Sequence, residues 1–174
     1  VVALDGTMTG NLAGKEKWIR PQLMVGKASP VMVDGMLCVV DDRAKMYLLD
    51  PETGKQIAKK GLGTAMRSTP LLADGKIYTC TNNGRWYVLQ IDGKKVKVLH
   101  KERLKGEASD GSPIAAEGRV YLPTSVALYC LAKSDSSVAA NPLPAPVEES
   151  PVAEDTTPAQ LQVIPYDVLL EPGE

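Results

Sequence analysis

The chain has 174 residues, a net charge of −1, no phenylalanine, and 44% apolar residues. It has no run of about 18 apolar residues, which excludes a membrane-spanning helix within this sequence. The single histidine, His100, and the absence of a Cys-x-x-Cys pair argue against zinc sites and catalytic triads.

A seven-residue pattern recurs three times along the chain. Ser29-Pro-Val-Met-Val-Asp-Gly is followed 40 residues later by Thr69-Pro-Leu-Leu-Ala-Asp-Gly, and 43 residues after that by Ser112-Pro-Ile-Ala-Ala-Glu-Gly. A period of about 40 residues is typical of folds that repeat one supersecondary unit. Residues 1–27 precede the first full copy and are interpreted as the tail of an earlier unit.

The first full unit, residues 28–66, predicts four short antiparallel strands. Asp34 and Gly35 separate two apolar runs and tolerate the positive φ that a type I′ hairpin turn needs. The polar residues 41–44 end the second run, and the segment from Asp50 to Gly54 closes the third turn. No helical spacing of apolar residues extends beyond a turn.

The later units repeat this plan. In residues 67–108, Asp74-Gly75 is the first turn and the Asn-Gly pair within 82–84 is a strong hairpin signal. Residues 109–131 form a shorter unit with Glu117-Gly118 as its first turn. One tyrosine holds the same place in each unit.

These residues resemble the pyrroloquinoline-quinone-type repeat of quinoprotein-like β-propellers, including the group that assembles outer-membrane proteins. Tyr47 to Gly54 matches that pattern best, and Ala3 to Trp18 echoes its end. The resemblance implies an all-β fold of four-stranded antiparallel blades, a fragment of a larger seven- or eight-bladed ring. It implies that Trp18 docks on the neighbouring blade. The predicted structural repeat positions are Trp18, Pro30, Asp34, Gly35, Tyr47, Asp50, Gly54, Pro70, Asp74, Gly75, Tyr87, Pro113, Gly118 and Tyr129.

The sequence changes character after the repeats. Residues 1–131 hold 19 Lys and Arg against 13 Asp and Glu, whereas residues 132–174 hold 1 against 8. Residues 132–160 are rich in Pro, Ser and acids, which predicts a disordered linker. Residues 161–174 resemble the truncated start of a bacterial immunoglobulin-like β domain.

The three cysteines, Cys38, Cys80 and Cys130, each lie within an apolar run. We expect them to be small buried side chains without a disulfide framework. The lysine-rich segments 94–97 and 101–105 are interpreted as the charged face of an outer strand, because they lack the interleaved aromatic residues of a nucleic-acid surface.

The sequence favours a non-catalytic β-propeller scaffold, and the resemblance implies a periplasmic, envelope or extracellular location in bacteria. Expected partners are other proteins or further blades of the same chain, with no nucleic acid and no membrane span. No catalytic, cofactor-binding or metal-binding residue is predicted. The alternative is a dehydrogenase that uses pyrroloquinoline quinone and calcium, with its site residues on blades missing from this chain.

Overall fold

A computed structural model describes residues 1–133, which form strands and turns without any helix. Almost all of the predicted linker, and the immunoglobulin-like segment, lie outside the described residues. Since residues 1–133 contain no helix, none that could cross a membrane occurs among them.

The strands form four antiparallel sheets in chain order. The first is a pair, β1 (Val2–Ala3) and β2 (Trp18–Ile19). The second contains β3 (Val31–Val33), β4 (Met36–Val40), β5 (Lys45–Leu49) and β6 (Gln56–Gly61). The third contains β7 (Leu71–Ala73), β8 (Lys76–Cys80), β9 (Arg85–Asp92) and β10 (Lys95–Arg103). The fourth contains β11 (Ile114–Ala116), β12 (Arg119–Pro123) and β13 (Leu128–Leu131). This architecture confirms the predicted all-β fold of propeller blades.

The first turn of each blade has the geometry that its sequence predicts. Asp34 and Gly35 have φ of 47° and 73°. Asp74 and Gly75 repeat these angles, and so do Glu117 and Gly118. Positive φ at both central residues defines the type I′ turn, whose twist matches that of the flanking strands.

The second turn differs from a two-residue Asn-Gly hairpin. In the third sheet β8 ends at Cys80 and β9 begins at Arg85, so four residues connect them, and of the Asn-Gly pair only Gly84 has positive φ. The hydroxyl of Thr81 accepts a hydrogen bond from the Arg85 backbone N–H at 3.2 Å. The backbone N–H of Thr81 also donates to the Arg85 carbonyl at 3.0 Å, and that of Gly84 to the Thr81 carbonyl at 2.9 Å. Together these bonds close the wider turn, which the dipeptide signal alone does not reveal.

The core lies between neighbouring sheets, because successive side chains of a strand point to opposite faces. Cys38, Met46 and Leu48 of the second sheet belong to one buried cluster with Ile77 and Leu89 of the third. A second cluster joins the first and second sheets, and a third joins Trp86 to Leu122 of the fourth sheet. Each sheet therefore stabilises the next by apolar burial.

The repeated Ser/Thr-Pro motif links the segments that precede the first strand of each blade. The backbone N–H of Ser29 donates to Thr69 Oγ1 at 2.9 Å, and the backbone N–H of Thr69 donates to Ser112 Oγ at 2.8 Å. The same motif position thus bonds to its own copy in the next blade. Val31, Leu71 and Ile114, each at the start of its blade's first strand, occupy equivalent places.

Candidate functional site

The repeated tyrosines mark one position on the third strand of each blade. Tyr47 pairs with Lys59 of β6 and Tyr87 pairs with Lys101 of β10. The lysine ammonium lies over the tyrosine ring in both pairs, 5.2 Å and 5.8 Å from the centroid. A cation over an aromatic face is attracted by the ring quadrupole, so these blades share a Lys–Tyr contact between their third and fourth strands.

In the fourth sheet the equivalent tyrosine is Tyr129, and no described fourth strand pairs with its strand. Tyr129 lies on β13, which pairs with β12 on one side and is an edge strand among residues 1–133. Its hydroxyl donates a hydrogen bond to Glu107 Oε1. The ring is partly exposed, whereas those of Tyr47 and Tyr87 are buried.

A groove of about 870 Å³ lies between the facing sides of the third and fourth sheets. One wall is the face of the third sheet that includes Tyr78, Trp86, Val88, His100 and Glu102. The other wall is the facing side of the fourth sheet, with Val120, Leu122, Tyr129 and Leu131. We call this space the β13 groove.

The two walls of the β13 groove meet at apolar side chains, whereas Asp74, Arg119 and Lys133 also line it. The rings of Tyr78 and Trp86 stack with centroids 6.0 Å apart. Trp86 and Leu122 are buried, with 5% and 2% of their surface exposed, and they join the two walls. Leu131, at the open edge, keeps 40% exposure. An apolar cleft beside a strand edge that no strand of residues 1–133 pairs with suits an extended polypeptide.

Glu107 provides a fixed negative charge beside Tyr129. Its Oε2 accepts a hydrogen bond from Thr124 Oγ1 at 2.6 Å, and its Oε1 accepts the bond from Tyr129. These two bonds lower the pKa of the Glu107 carboxyl, which therefore stays ionised at neutral pH. The bond to Glu107 raises the pKa of the Tyr129 hydroxyl, which stays protonated as the donor.

Trp18 contacts the neighbouring blade, the interaction that the repeat resemblance implies. Its Nε1 donates to the Pro51 carbonyl at 2.8 Å. A Cβ added to Gly54 would lie 2.6 Å from Cδ2 of the Trp18 ring. Gly54 has φ of 66°, so both its backbone angle and the close indole require glycine.

The other predicted repeat positions lie in turns and strand approaches, outside the groove except for Asp74 and Gly118 at its end. Asp50 Oδ1 accepts bonds from the backbone N–H groups of Glu52 and Thr53, which holds the third turn. The prolines Pro30, Pro70 and Pro113 each precede the first strand of a blade. These positions shape the blades, and three of them, Asp74, Gly118 and Tyr129, also line the groove.

The cysteines divide into two buried thiols and one exposed thiol. Cys38 and Cys80 are fully buried between sheets, and burial raises the pKa of the Cys38 thiol to about 12. Cys130 is exposed, so the prediction that all three are buried is wrong. It lies on the face of β13 that points away from the third sheet, which no described strand covers.

The polar pairs at the second turns serve the fold. Asp41 Oδ1 accepts bonds from the backbone N–H groups of Arg43 and Lys45, and Asp42 Oδ1 accepts one from Gly26. Asn82 donates through Nδ2 to Asp110. Within residues 1–133 there is no group of three His, Cys, Asp or Glu side chains placed to hold a metal ion.

The comparisons with known proteins identify the family. The family described as outer membrane protein assembly factor BamB matches residues 1–160. This chain belongs to that family. The match covers the blades and supports the BamB-like, pyrroloquinoline-quinone-type repeat predicted from the sequence.

Two solved structures show the extent of the likeness. The crystal structure of BamB from Moraxella catarrhalis is similar over 67% of this chain and 36% of its own, with a TM-score of 0.55 and 18% identity. Quinohemoprotein alcohol dehydrogenase from Comamonas testosteroni is similar over 59% of this chain and 17% of its own, with a TM-score of 0.48 and 21% identity. This chain thus spans about a third of the length of that BamB. No curated protein matches it.

Sequence reasoning did not single out Lys59, Lys101 and Glu107. A signal for the two lysines exists: each complete unit has a lysine 12 or 14 residues after its tyrosine. Glu107 has no such signal, because its partners Thr124 and Tyr129 meet it only through the stacking of neighbouring sheets.

Proposed function

We propose that the protein is a non-catalytic β-propeller scaffold that binds other proteins in the bacterial cell envelope. The observation that supports this most directly is the β13 groove, an apolar cleft of about 870 Å³ beside a strand edge. Membership of the BamB family supports the same kind of function. Binding would occur by strand addition, with backbone hydrogen bonds supplying affinity and groove side chains supplying selectivity.

Strand addition is tested by amide hydrogen exchange of the whole chain with and without an extended peptide. We expect added peptide to protect the amides of β13, while those of β3 and β7 exchange as before. Unchanged exchange at β13 with strand-forming peptides of varied sequence would contradict the proposal.

A pair of matched variants separates the groove from the rest of the strand. Leu131→Asp places a charge on the groove side of β13, and we expect it to weaken peptide binding at least about tenfold, because burying an unpaired charge is costly. Leu128→Asp makes the same change on the opposite face, where the side chain is 67% exposed. This control should bind peptide like the unaltered chain.

The proposed location is the periplasm or another envelope compartment. Fractionation of the bacterium that produces the protein, followed by antibody detection, tests it. We expect the protein in the periplasmic or outer-membrane fraction or outside the cell. Recovery in the cytoplasm would contradict the location and leave the strand-addition test unaffected.

We propose that the protein functions without a cofactor. Titration of the whole chain with pyrroloquinoline quinone and calcium tests this, followed by absorbance and by dye-linked oxidation of alcohols and sugars. Unchanged quinone spectra and no oxidation are expected. Saturable quinone binding with substrate oxidation would favour the dehydrogenase alternative instead.

A further inference from the structure

Three basic residues of the third sheet face the second sheet. Tyr87 of β9 lies in the buried cluster that these two sheets share, so Arg85, two residues earlier on the same strand, points to the same side. Arg103 of β10 pairs with Arg85 and therefore shares its face. Lys101 pairs with Tyr87, and its ammonium lies over that ring.

The second sheet adds a fourth basic residue from the other side of the junction. Lys60 of β6 pairs with Met46, which lies in the same shared cluster, so Lys60 faces the third sheet. The outer strands of the two sheets, β6 and β10, contact each other, and each of the two sheets has four strands. We call the four residues at this junction the basic cluster: Lys60, Arg85, Lys101 and Arg103.

No acidic side chain of these strands balances the basic cluster. The strands of the second sheet contain no Asp or Glu, and those of the third contain only Asp92 and Glu102. Both of these face the other way: Glu102 lines the β13 groove, and Asp92 has the alternation of Trp86, which packs toward the fourth sheet. Within residues 1–133 the four basic side chains form no ion pair and donate no hydrogen bond, although Lys60 and Arg85 are half-buried.

The arrangement of the two arginines is unfavourable in the chain by itself. Arg85 and Arg103 lie directly opposite each other on neighbouring antiparallel strands, where like charges destabilise the pairing. The repeat does not require this pair, because the equivalent residues of the second sheet are Lys45 and Gly61. Anionic groups placed among the four cations would turn this repulsion into attraction.

We infer that the basic cluster binds an acidic segment of a partner protein, which lies across the outer junction of the second and third sheets and places two or more carboxylates among the cations. The inference rests on the proposed protein-binding function but does not depend on the β13 groove. It adds a second binding surface, on the opposite side of the third sheet.

The spacing of the cations favours a polypeptide over a single small anion. Packed sheets lie about 10 Å apart, so one small anion would not reach Lys60 and the two arginines together. Carboxylates on alternate residues of an extended chain lie about 7 Å apart on one side, which suits cations distributed over two strands. Val98 pairs with Leu89, shares this face and stays 40% exposed, so it offers apolar contact beside the charges.

The first experiment compares three labelled peptides of one extended sequence that carry Glu, Gln or Lys at two alternate positions. Each is titrated with the whole chain by fluorescence anisotropy at low salt. We expect the Glu peptide to bind about tenfold more tightly than the Gln peptide, with the Lys peptide weakest. Salt at about 0.5 M should remove most of this difference, because it screens exposed charges. Equal affinities of the Glu and Gln peptides at low salt would overturn the inference.

The second experiment removes the arginine pair. Arg85→Gln combined with Arg103→Gln should bring the Glu and Gln peptides to within about threefold of each other. Lys95→Gln combined with Lys97→Gln is the matched control, since it removes two positive charges from the opposite face of the same sheet and should keep the full preference.

Urea denaturation of the arginine variant gives a readout that a structural role would move differently. We expect this variant to be at least as stable as the unaltered chain, because a like-charge pair has been removed. A clearly less stable variant would show that the two arginines serve the fold, and the inference would be wrong.

Three further outcomes would also overturn it. An oligonucleotide of equal charge that binds as tightly as the Glu peptide would show attraction of any polyanion. Amine labelling in which Lys101 is protected without peptide at low salt, but not at high salt, would show that another part of the chain fills the site. Leu131→Asp, which alters the β13 groove, should leave binding of the Glu peptide unchanged; loss of binding there would place the peptide in that groove instead. Failure at the basic cluster leaves the β13 exchange test unaffected, and the reverse also holds.

Discussion

Gly54 shows how one residue without a side chain joins two blades. It has φ of 66°, and a Cβ there would lie 2.6 Å from the Trp18 ring. Glycine accepts this backbone angle without the steric cost that L-residues meet, and its missing Cβ leaves room for the indole. The indole in turn donates to the Pro51 carbonyl of the same turn.

Gly54→Ala should therefore lower the free energy of unfolding through two effects, backbone strain of about 1 kcal/mol and displacement of Trp18, which costs about 1–3 kcal/mol more. Urea denaturation followed by tryptophan fluorescence measures the sum. Gly35→Ala provides the control: its φ is 73° and no atom would lie within 4 Å of the new Cβ. It should show the strain alone.

A double-mutant cycle with Trp18→Ala separates the two effects. Once the indole is absent, Gly54→Ala should cost no more than Gly35→Ala. If Gly54→Ala costs the same with and without Trp18, the indole does not dock on this turn.

At the scale of the element, the blades are connected through copies of one motif. Ser29, Thr69 and Ser112 begin equivalent segments, and hydroxyls of the second and third accept bonds from the backbone of the first and second. The Ser or Thr that occupies this position in every repeat thus forms a hydrogen bond between repeats. The hydroxyl in this motif stabilises the junction, and the proline after it directs the chain into the first strand.

Removing both acceptors should loosen the junctions without altering the blades. Thr69→Val combined with Ser112→Ala should lower the free energy of unfolding by about 1–3 kcal/mol, because each of the two net hydrogen bonds contributes about 0.5–1.5 kcal/mol. Hydrogen exchange of the Ser29 and Thr69 amides should become faster. Thr64→Val, at an exposed position of the connecting segment, is the control and should change neither quantity.

The sequence predicted elements with local signals and missed those that depend on neighbouring sheets. Asp34-Gly35 has the predicted turn because its φ requirement involves only those two residues. The Asn-Gly pair at 83–84 lies in a wider turn, which backbone bonds between Thr81 and Arg85 and the Thr81 hydroxyl close together. The β13 groove could not be predicted from local signals, because it depends on how two sheets face each other. The third sheet has four strands, whereas the fourth has three among the described residues.

At the scale of the four sheets in residues 1–133, stability lies in the apolar faces between neighbouring sheets. Each of the two buried thiols lies in a different one of these faces, so its reaction with a reagent would show that this face has opened. Cys38 belongs to the cluster between the second and third sheets, and Cys80 to the cluster between the third and fourth. Cys130 is exposed on β13 and belongs to neither.

The folded chain should therefore expose one of its three thiols to a thiol reagent. At about pH 8, Cys130 should react in the folded protein, because its side chain is exposed to the reagent. Cys38 should not react, since burial removes it from the reagent and raises its thiol pKa to about 12. The absorbance of the thiolate that the reagent releases should thus show one reactive cysteine per chain in the folded protein and all three in denaturant.

In Cys130→Ser the signal of the folded protein should vanish. Rapid reaction of a second thiol in that variant would mean that two neighbouring sheets separate readily, and the stacked architecture would then need revision.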